Sequence, residues 1–459
     1  MSWINRESDH PFSRKMVWLF LAISIVLLIY LIYRGEIVDS GSNVVYYMYY
    51  AIALLAVLFW FFVLRLRSET QVNIVFLSSI IILGIYLIEG SLFFLGIGQT
   101  KTNKHIDLQT LGFDFDKRSK FEVVNDLIAK GIDAVPMTIA RDGINDETLF
   151  PLAGISKKIV VGANESGKRM VYLTDRYGFR NPDSEWDVNE LEWLLVGDSF
   201  AEGVAVQEGE DIGSQIRDLT QKSTINLGKA GNSPLMELAT LTEYAGLVKP
   251  KKLLWIYYRN DLIEDIIRDE KNTFLMQYME DEFSQNLINR QKDIDSSLLE
   301  FISDNNHLYP SKFFQDQSKK LRFKTNWIRL QSIRNLVNLD NPNFLDEEDV
   351  KNPLFSQVLI KAKERVSVWG GKIYFVYMPD YYRYNKKTSS ESRFEKKDEV
   401  IDLVKGLGIP VIDIDQEVFA NHSDPFSLFP LNFRHYNADG YRHVSRAIIK
   451  NINKYEQSN

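Results

Sequence analysis

Hydrophobic patterning divides the chain at about Lys101. Before it lie three long apolar runs. Met16 to Tyr33 is uncharged and just long enough to cross a bilayer, Val44 to Leu64 is the second run, and Ile74 to Ile97, interrupted only by Glu89, is the third. No small-x-small cleavage site follows the first run and two further runs come after it, so the pattern predicts three transmembrane helices over residues 1–100 and no cleaved signal. Residues 101–185 read as a small α/β preface, with a helix at Phe121 to Ala129 and a hairpin of Lys158 to Val161 with Met170 to Leu173. From 186 to 459, short apolar runs at Glu192 to Gly197, Ser223 to Leu227, Lys252 to Tyr258, Lys372 to Tyr377 and Pro410 to Ile414 alternate with helical segments. Those helices are expected at Val206 to Lys222, with Ile212, Ile216 and Leu219 on one face, at Pro234 to Leu247, Leu354 to Trp369 and Lys396 to Leu407, and from near Asn437. Such alternation predicts an α/β fold with a parallel sheet covered on both faces. Residues 262–352 break the rhythm, being charged and helical in pattern, and read as an insertion: a lid, a docking surface or a solvated decoration.

Charge gives the membrane reading a direction. Arg6, Arg14 and Lys15 precede the first run and Arg65 and Arg67 follow the second, whereas the first loop carries only Arg34. Positive charge favours the cytoplasmic side, so the chain beyond Lys101 is expected outside. Glu89 would lie toward the outer end of its helix, reaching headgroup water or a partner helix. A net charge of −7 without a long basic block gives no sign of a nucleic-acid partner. The absence of cysteine excludes disulfides, thiolate metal sites and a cysteine nucleophile.

The candidate chemistry sits where apolar runs stop. The first strand of the larger domain ends at Gly197-Asp198-Ser199, placing Ser199 where the carboxyl end of a parallel strand opens onto a crevice. The next strand leads to Gly231-Asn232, and the third to Arg259-Asn260-Asp261. The preface hairpin turn, Gly162 to Lys168, matches a phosphate-loop spacing, but Arg169 stands where Ser or Thr is required and a strand follows, so nucleotide binding is set aside. Near the carboxyl terminus, His435-Tyr436-Asn437-Ala438-Asp439-Gly440-Tyr441 opens the last helix.

In that order the four segments resemble the Ser, Gly, Asn and His blocks of the SGNH (GDSL-type) hydrolase and acyltransferase superfamily, over about Met170 to Ile452 with the insertion excepted. The resemblance implies a flavodoxin-like parallel sheet. A serine hydroxyl needs a base within hydrogen-bond reach. Of the six histidines, only His435 lies at a helix start beside the expected crevice, and it is the expected base for Ser199. The N–H groups of Ser199 and Gly231 and the side-chain amide of Asn260 are the expected oxyanion donors. Two positions depart from the family pattern. Tyr258 replaces the glycine that usually opens the third block, narrowing the crevice, and Asn432 stands three residues before His435, where an aspartate is common. An amide can fix the His435 tautomer without charge; the arrangement is then a Ser–His dyad, or a distant carboxylate serves, Asp424 and Asp380 being the nearest suppliers.

Together these imply a membrane-anchored serine esterase or O-acyltransferase, multi-pass in a bacterial cytoplasmic membrane with its soluble domain on the periplasmic or extracellular side. The resemblance points to acyl, above all acetyl, esters of cell-surface glycans. No cofactor is called for and no metal-ligand cluster is evident. Acyl transfer would need a separate membrane protein to deliver the acyl group. A lipid esterase is a rival, as is a noncatalytic binding or assembly module of an envelope polysaccharide system, which Asn432 and Tyr258 would favour.

Overall fold

The computed structural model describes residues 11–33, 44–95, 116–143, 148–262, 265–305, 330, 333, 350, 352–384, 396–430 and 435–458. The chain forms two compact units, one of residues 1–101 with 318–345, the other of residues 102–317 with 346–459.

The first unit holds helices α1 (Pro11–Tyr33), α2 (Val44–Val63) and α3 (Ser68–Leu95). Trp60 stacks on Phe20 at 4.7 Å, and Val17, Leu21, Val63 and Val75 pack around them. The α2–α3 turn is held by Gln71, whose amide donates to the carbonyls of Val63, Leu64 and Leu66 and so satisfies the open end of α2. Two stretches, Phe12–Tyr33 and Ser68–Leu92, are long and apolar enough to cross a membrane; between them the apolar helix Tyr49–Val63 is shorter. Glu89 is buried, and its carboxylate accepts the backbone N–H of Ile333, from the stretch read as an insertion. That stretch is split among the described residues, Leu330 and Ile333 falling in the first unit and Asp265–Asn305 in the second.

The second unit contains two sheets. Helix α4 (Lys120–Ala129), opened by a Ser119–Glu122 capping box, packs on a small sheet of β1 (Ala134–Pro136), β2 (Ile159–Val161) and β3 (Val171–Leu173). β2 pairs parallel with β1 and antiparallel with β3, the expected hairpin. The larger sheet consists of β4 (Trp193–Gly197), β5 (Thr224–Asn226), β6 (Lys252–Tyr257), β7 (Lys372–Tyr377) and β8 (Val411–Asp413). All its pairings are parallel, in the order β5-β4-β6-β7-β8. Counting from β4, that is 2-1-3-4-5, a doubly wound order whose direction reverses between β4 and β6.

These strands are buried on both faces, as their unbroken apolar runs require. Leu194, Val196, Leu253 and Trp255 face a core shared with α7 (Pro234–Val248) and α11 (Pro353–Ser367). Trp193, Leu195, Leu254 and Ile256 face the opposite core, with α6 (Ile212–Thr220) and α13 (Ala438–Ser458). Between β6 and β7 lie α8 (Asp265–Glu270), α9 (Thr273–Met276) and α10 (Gln291–Asn305); α12 (Lys396–Gly406) precedes β8. The helix expected from Val206 begins only at Ile212, because Gly209 is left-handed (φ +87°) and Asp211 caps the start by accepting the Ser214 N–H. Ile212 and Ile216 are buried as expected, but Leu219 is 43% exposed.

Candidate active site

At the end of β4 the backbone is crowded enough to require glycine. A Cβ on Gly197 would stand 2.9 Å from the Ile256 carbonyl oxygen and 2.7 Å from the Ala201 Cβ. Asp198 then caps α5 (Ser199–Glu202), a single turn, by accepting the Phe200 N–H at 2.8 Å; left-handed Gly203 closes it, donating to the Ser199 carbonyl. Burial pushes the Asp198 carboxyl up to about 6. Ser199 is held at the carboxyl edge of β4, beside the point where strand order reverses.

His435 meets it from the other end of the chain. The residue lies three positions before α13, whose start is fixed by Asn437: its side chain accepts the Gly440 N–H and donates to the Ser427 carbonyl. Tyr436, fully buried, donates to the Pro379 carbonyl at 2.7 Å and holds this segment against the sheet. The imidazole packs on Phe200, ring centres 4.9 Å apart. His435 Nε2 is 2.8 Å from Ser199 Oγ, and His435 Nδ1 is 2.8 Å from Glu165 Oε1. Serine, imidazole and carboxylate thus form one continuous relay.

Glu165 lies in the β2–β3 turn, the segment whose spacing matched a phosphate loop. Neither carboxylate expected from the sequence is on the imidazole. Asp424 is exposed, with its backbone bonded to His422 and Ser427. Asp380 is buried but accepts the Tyr258 hydroxyl at 2.7 Å and pairs with Arg259 at 3.4 Å. Asn432 lies outside the described residues. Tyr258 stacks on Phe200, the residue after Ser199, at 4.2 Å.

The remaining polar groups converge from β5 and β6, on either side of β4. After β5, the Lys229 N–H and the Asn232 amide both donate to the Gly197 carbonyl at 3.2 Å, tying this loop to the nucleophile strand. Gly231 is left-handed (φ +83°), a conformation favouring glycine. Its carbonyl accepts from Arg141 at 3.1 Å, and the Ala140 N–H donates to the Ala230 carbonyl, so the preface braces the loop. Glu202, buried in α5, accepts the Ala230 N–H and the Tyr172 hydroxyl, at 2.6 and 2.8 Å. After β6, Asn260 donates to Asp265 at 3.0 Å. Ser199, Gly231 and Asn260 therefore all lie at the same edge of three adjacent strands.

Beneath this edge are buried carboxyls that reading strand ends does not reveal. Asp269 accepts the Ser233 hydroxyl and the Leu235 N–H at the start of α7, and burial raises it to about 7. Glu237 and Asp261, both fully buried, are raised well above the ordinary carboxyl range, first by burial and then by neighbouring carboxylates, Asp198 and Asp269 beside Glu237, and Glu237 and Asp198 beside Asp261. Both oxygens of Glu237 lack a hydrogen-bond partner among the described residues. Also among the described residues, no group of three or more His, Asp or Glu is disposed to hold a metal ion.

No family model and no curated protein matches this chain. Solved structures do. A lipase/acylhydrolase from Enterococcus faecalis is 11% identical, covering 57% of this chain and 95% of its own, with a TM-score of 0.32. A lipolytic protein of the G-D-S-L family from Desulfitobacterium hafniense, described as putative, is 12% identical over 56% of this chain and 98% of its own, at 0.31. A family 3 carbohydrate esterase from Clostridium thermocellum is 11% identical over 57% and 94%, also at 0.31.

Proposed function

We propose that this chain, which resembles the SGNH hydrolases in its four blocks, is a membrane-anchored serine esterase or O-acyltransferase acting outside the cytoplasmic membrane on acyl esters, chiefly acetyl, of cell-surface glycans. The observation that carries the chemistry is the unbroken relay of Glu165, His435 and Ser199, with 2.8 Å at each step.

In this reading His435 Nε2 accepts the Ser199 proton as Oγ attacks the ester carbonyl, while Glu165 accepts from Nδ1–H, fixes the tautomer and stabilises the imidazolium that forms. The oxyanion is received by the N–H groups of Ser199 and Gly231 and by the Asn260 amide, whose second N–H remains after its bond to Asp265. The C–O bond to the alcohol breaks, and His435 returns the proton to that oxygen. The acyl-serine then passes to water, giving hydrolysis, or to a sugar hydroxyl, giving transfer, with His435 again the base. No cofactor takes part. Transfer additionally calls for a membrane protein that delivers the acyl group.

The three apolar helices are assigned as spans with the amino terminus inside, on the distribution of Arg6, Arg14, Lys15, Arg65 and Arg67. A single experiment tests chemistry and sidedness: labelling intact cells that express the full chain with a membrane-impermeant, serine-reactive fluorophosphonate. Labelling of the wild type but not of Ser199→Ala is expected. Labelling that survives Ser199→Ala ends the nucleophile assignment, and labelling seen only after lysis overturns the sidedness.

A further inference from the structure

Glu165 reaches His435 with one oxygen, while its other oxygen, Oε2, is buried with no partner among the described residues. Among the described residues the carboxylate has no second hydrogen bond of its own to aim it, and the backbone of the β2–β3 turn places it. That turn is tied to the segment entering α4. The Asp116 N–H donates to the Gly167 carbonyl at 2.8 Å, and the Asn164 side-chain amide donates to the Asp116 carbonyl at 2.7 Å. Arg169, at the far side of the turn, donates from Nε and Nη2 to the Arg118 carbonyl and from Nη1 to the Gly162 carbonyl. The segment itself is fixed by Arg118 against Asp116 and Asp126 and by the capping box of α4.

Building on the reading that Glu165 serves His435, we infer that Asn164 is a positioning residue for the reaction: its bond to Asp116 latches the hairpin turn that carries the acid. The latch joins the turn to the segment that enters α4. A carboxylate held by this loop shifts relative to an imidazole carried 270 residues away in the chain whenever the loop rocks, and proton transfer is sensitive to displacements of about 1 Å. Asn164 touches neither serine nor imidazole, so its effect must pass through Glu165.

A double-mutant cycle on the full-length protein tests this, using p-nitrophenyl acetate turnover. Asn164→Ala is expected to lower kcat about 10-fold or more with KM little changed, and to cause no further loss when Glu165→Gln is already present. Asn164→Asp, which keeps the shape but removes the donor, is expected to match Asn164→Ala and guards against a folding defect in the latter. Losses that multiply in the double variant, or wild-type turnover in Asn164→Asp, overturn the latch. Wild-type turnover in Glu165→Gln instead overturns the role of Glu165 itself, which separates the two failures.

Discussion

Glu165 and Asn432 divide the residue-scale question between them. Among the described residues, Nδ1 of His435 carries one hydrogen bond, of 2.8 Å, and it goes to a carboxylate supplied 270 residues earlier in the chain. Glu165→Gln would still fill the space but lose the charge that stabilises the imidazolium, so kcat is expected to fall about 10²- to 10⁴-fold with KM little affected. Asn432→Ala is expected to leave turnover close to wild type, and steady-state kinetics on p-nitrophenyl acetate checks both; the reverse ranking would return the orienting role to Asn432. Ser199, Gly231, Asn260 and His435 could be picked out of the sequence because each lies at the end of an apolar run or the start of a helix. Glu165 carries no such mark. Its partner is reached by packing one sheet against another, and no spacing along the chain encodes that distance.

At the scale of elements, the same logic separates what was readable from what was not. Runs such as Leu194 to Val196 and Leu253 to Ile256 are apolar on both faces because helices cover both, and so they stand out as strands. The start of α6 is set instead by one cap and one left-handed glycine, which outweigh an apolar periodicity extending back to Val206. The nucleophile turn depends on a similar local fit. A Cβ on Gly228 would come within 2.5 Å of the Ala201 Cβ and 2.6 Å of the Glu202 backbone nitrogen, neither of which can yield without moving α5. Gly228→Ala is therefore expected to destabilise the second unit by about 1–3 kcal/mol and to displace Ser199. A lower thermal midpoint together with slower fluorophosphonate labelling would report both effects; unchanged labelling would mean that the loop and α5 move independently.

Across the whole molecule, the buried carboxyls set how stability responds to pH. Asp175 and Asp198 are pushed up to about 6 and Asp269 to about 7, and Glu237 and Asp261 are raised as well, in each case chiefly by burial. In the unfolded chain these groups titrate near the ordinary value of about 4. Between about pH 4 and 7 the folded state thus holds protons that the unfolded state has released, and stability must fall as pH rises through that window. Carboxylates lowered by exposed ion pairs, such as Asp116 and Asp183 beside their arginines, act in the opposite sense but only below about pH 4. Amide exchange of β6, corrected for intrinsic rates, should therefore give a lower opening free energy at pH 8 than at pH 5, by at least about 1 kcal/mol. Glu237→Gln, which cannot ionise, should recover part of that difference at pH 8 and change little at pH 5. The same change at both pH values would show that Glu237 keeps its proton throughout, and that the pH response comes from the other raised carboxyls, Asp175, Asp198, Asp261 and Asp269.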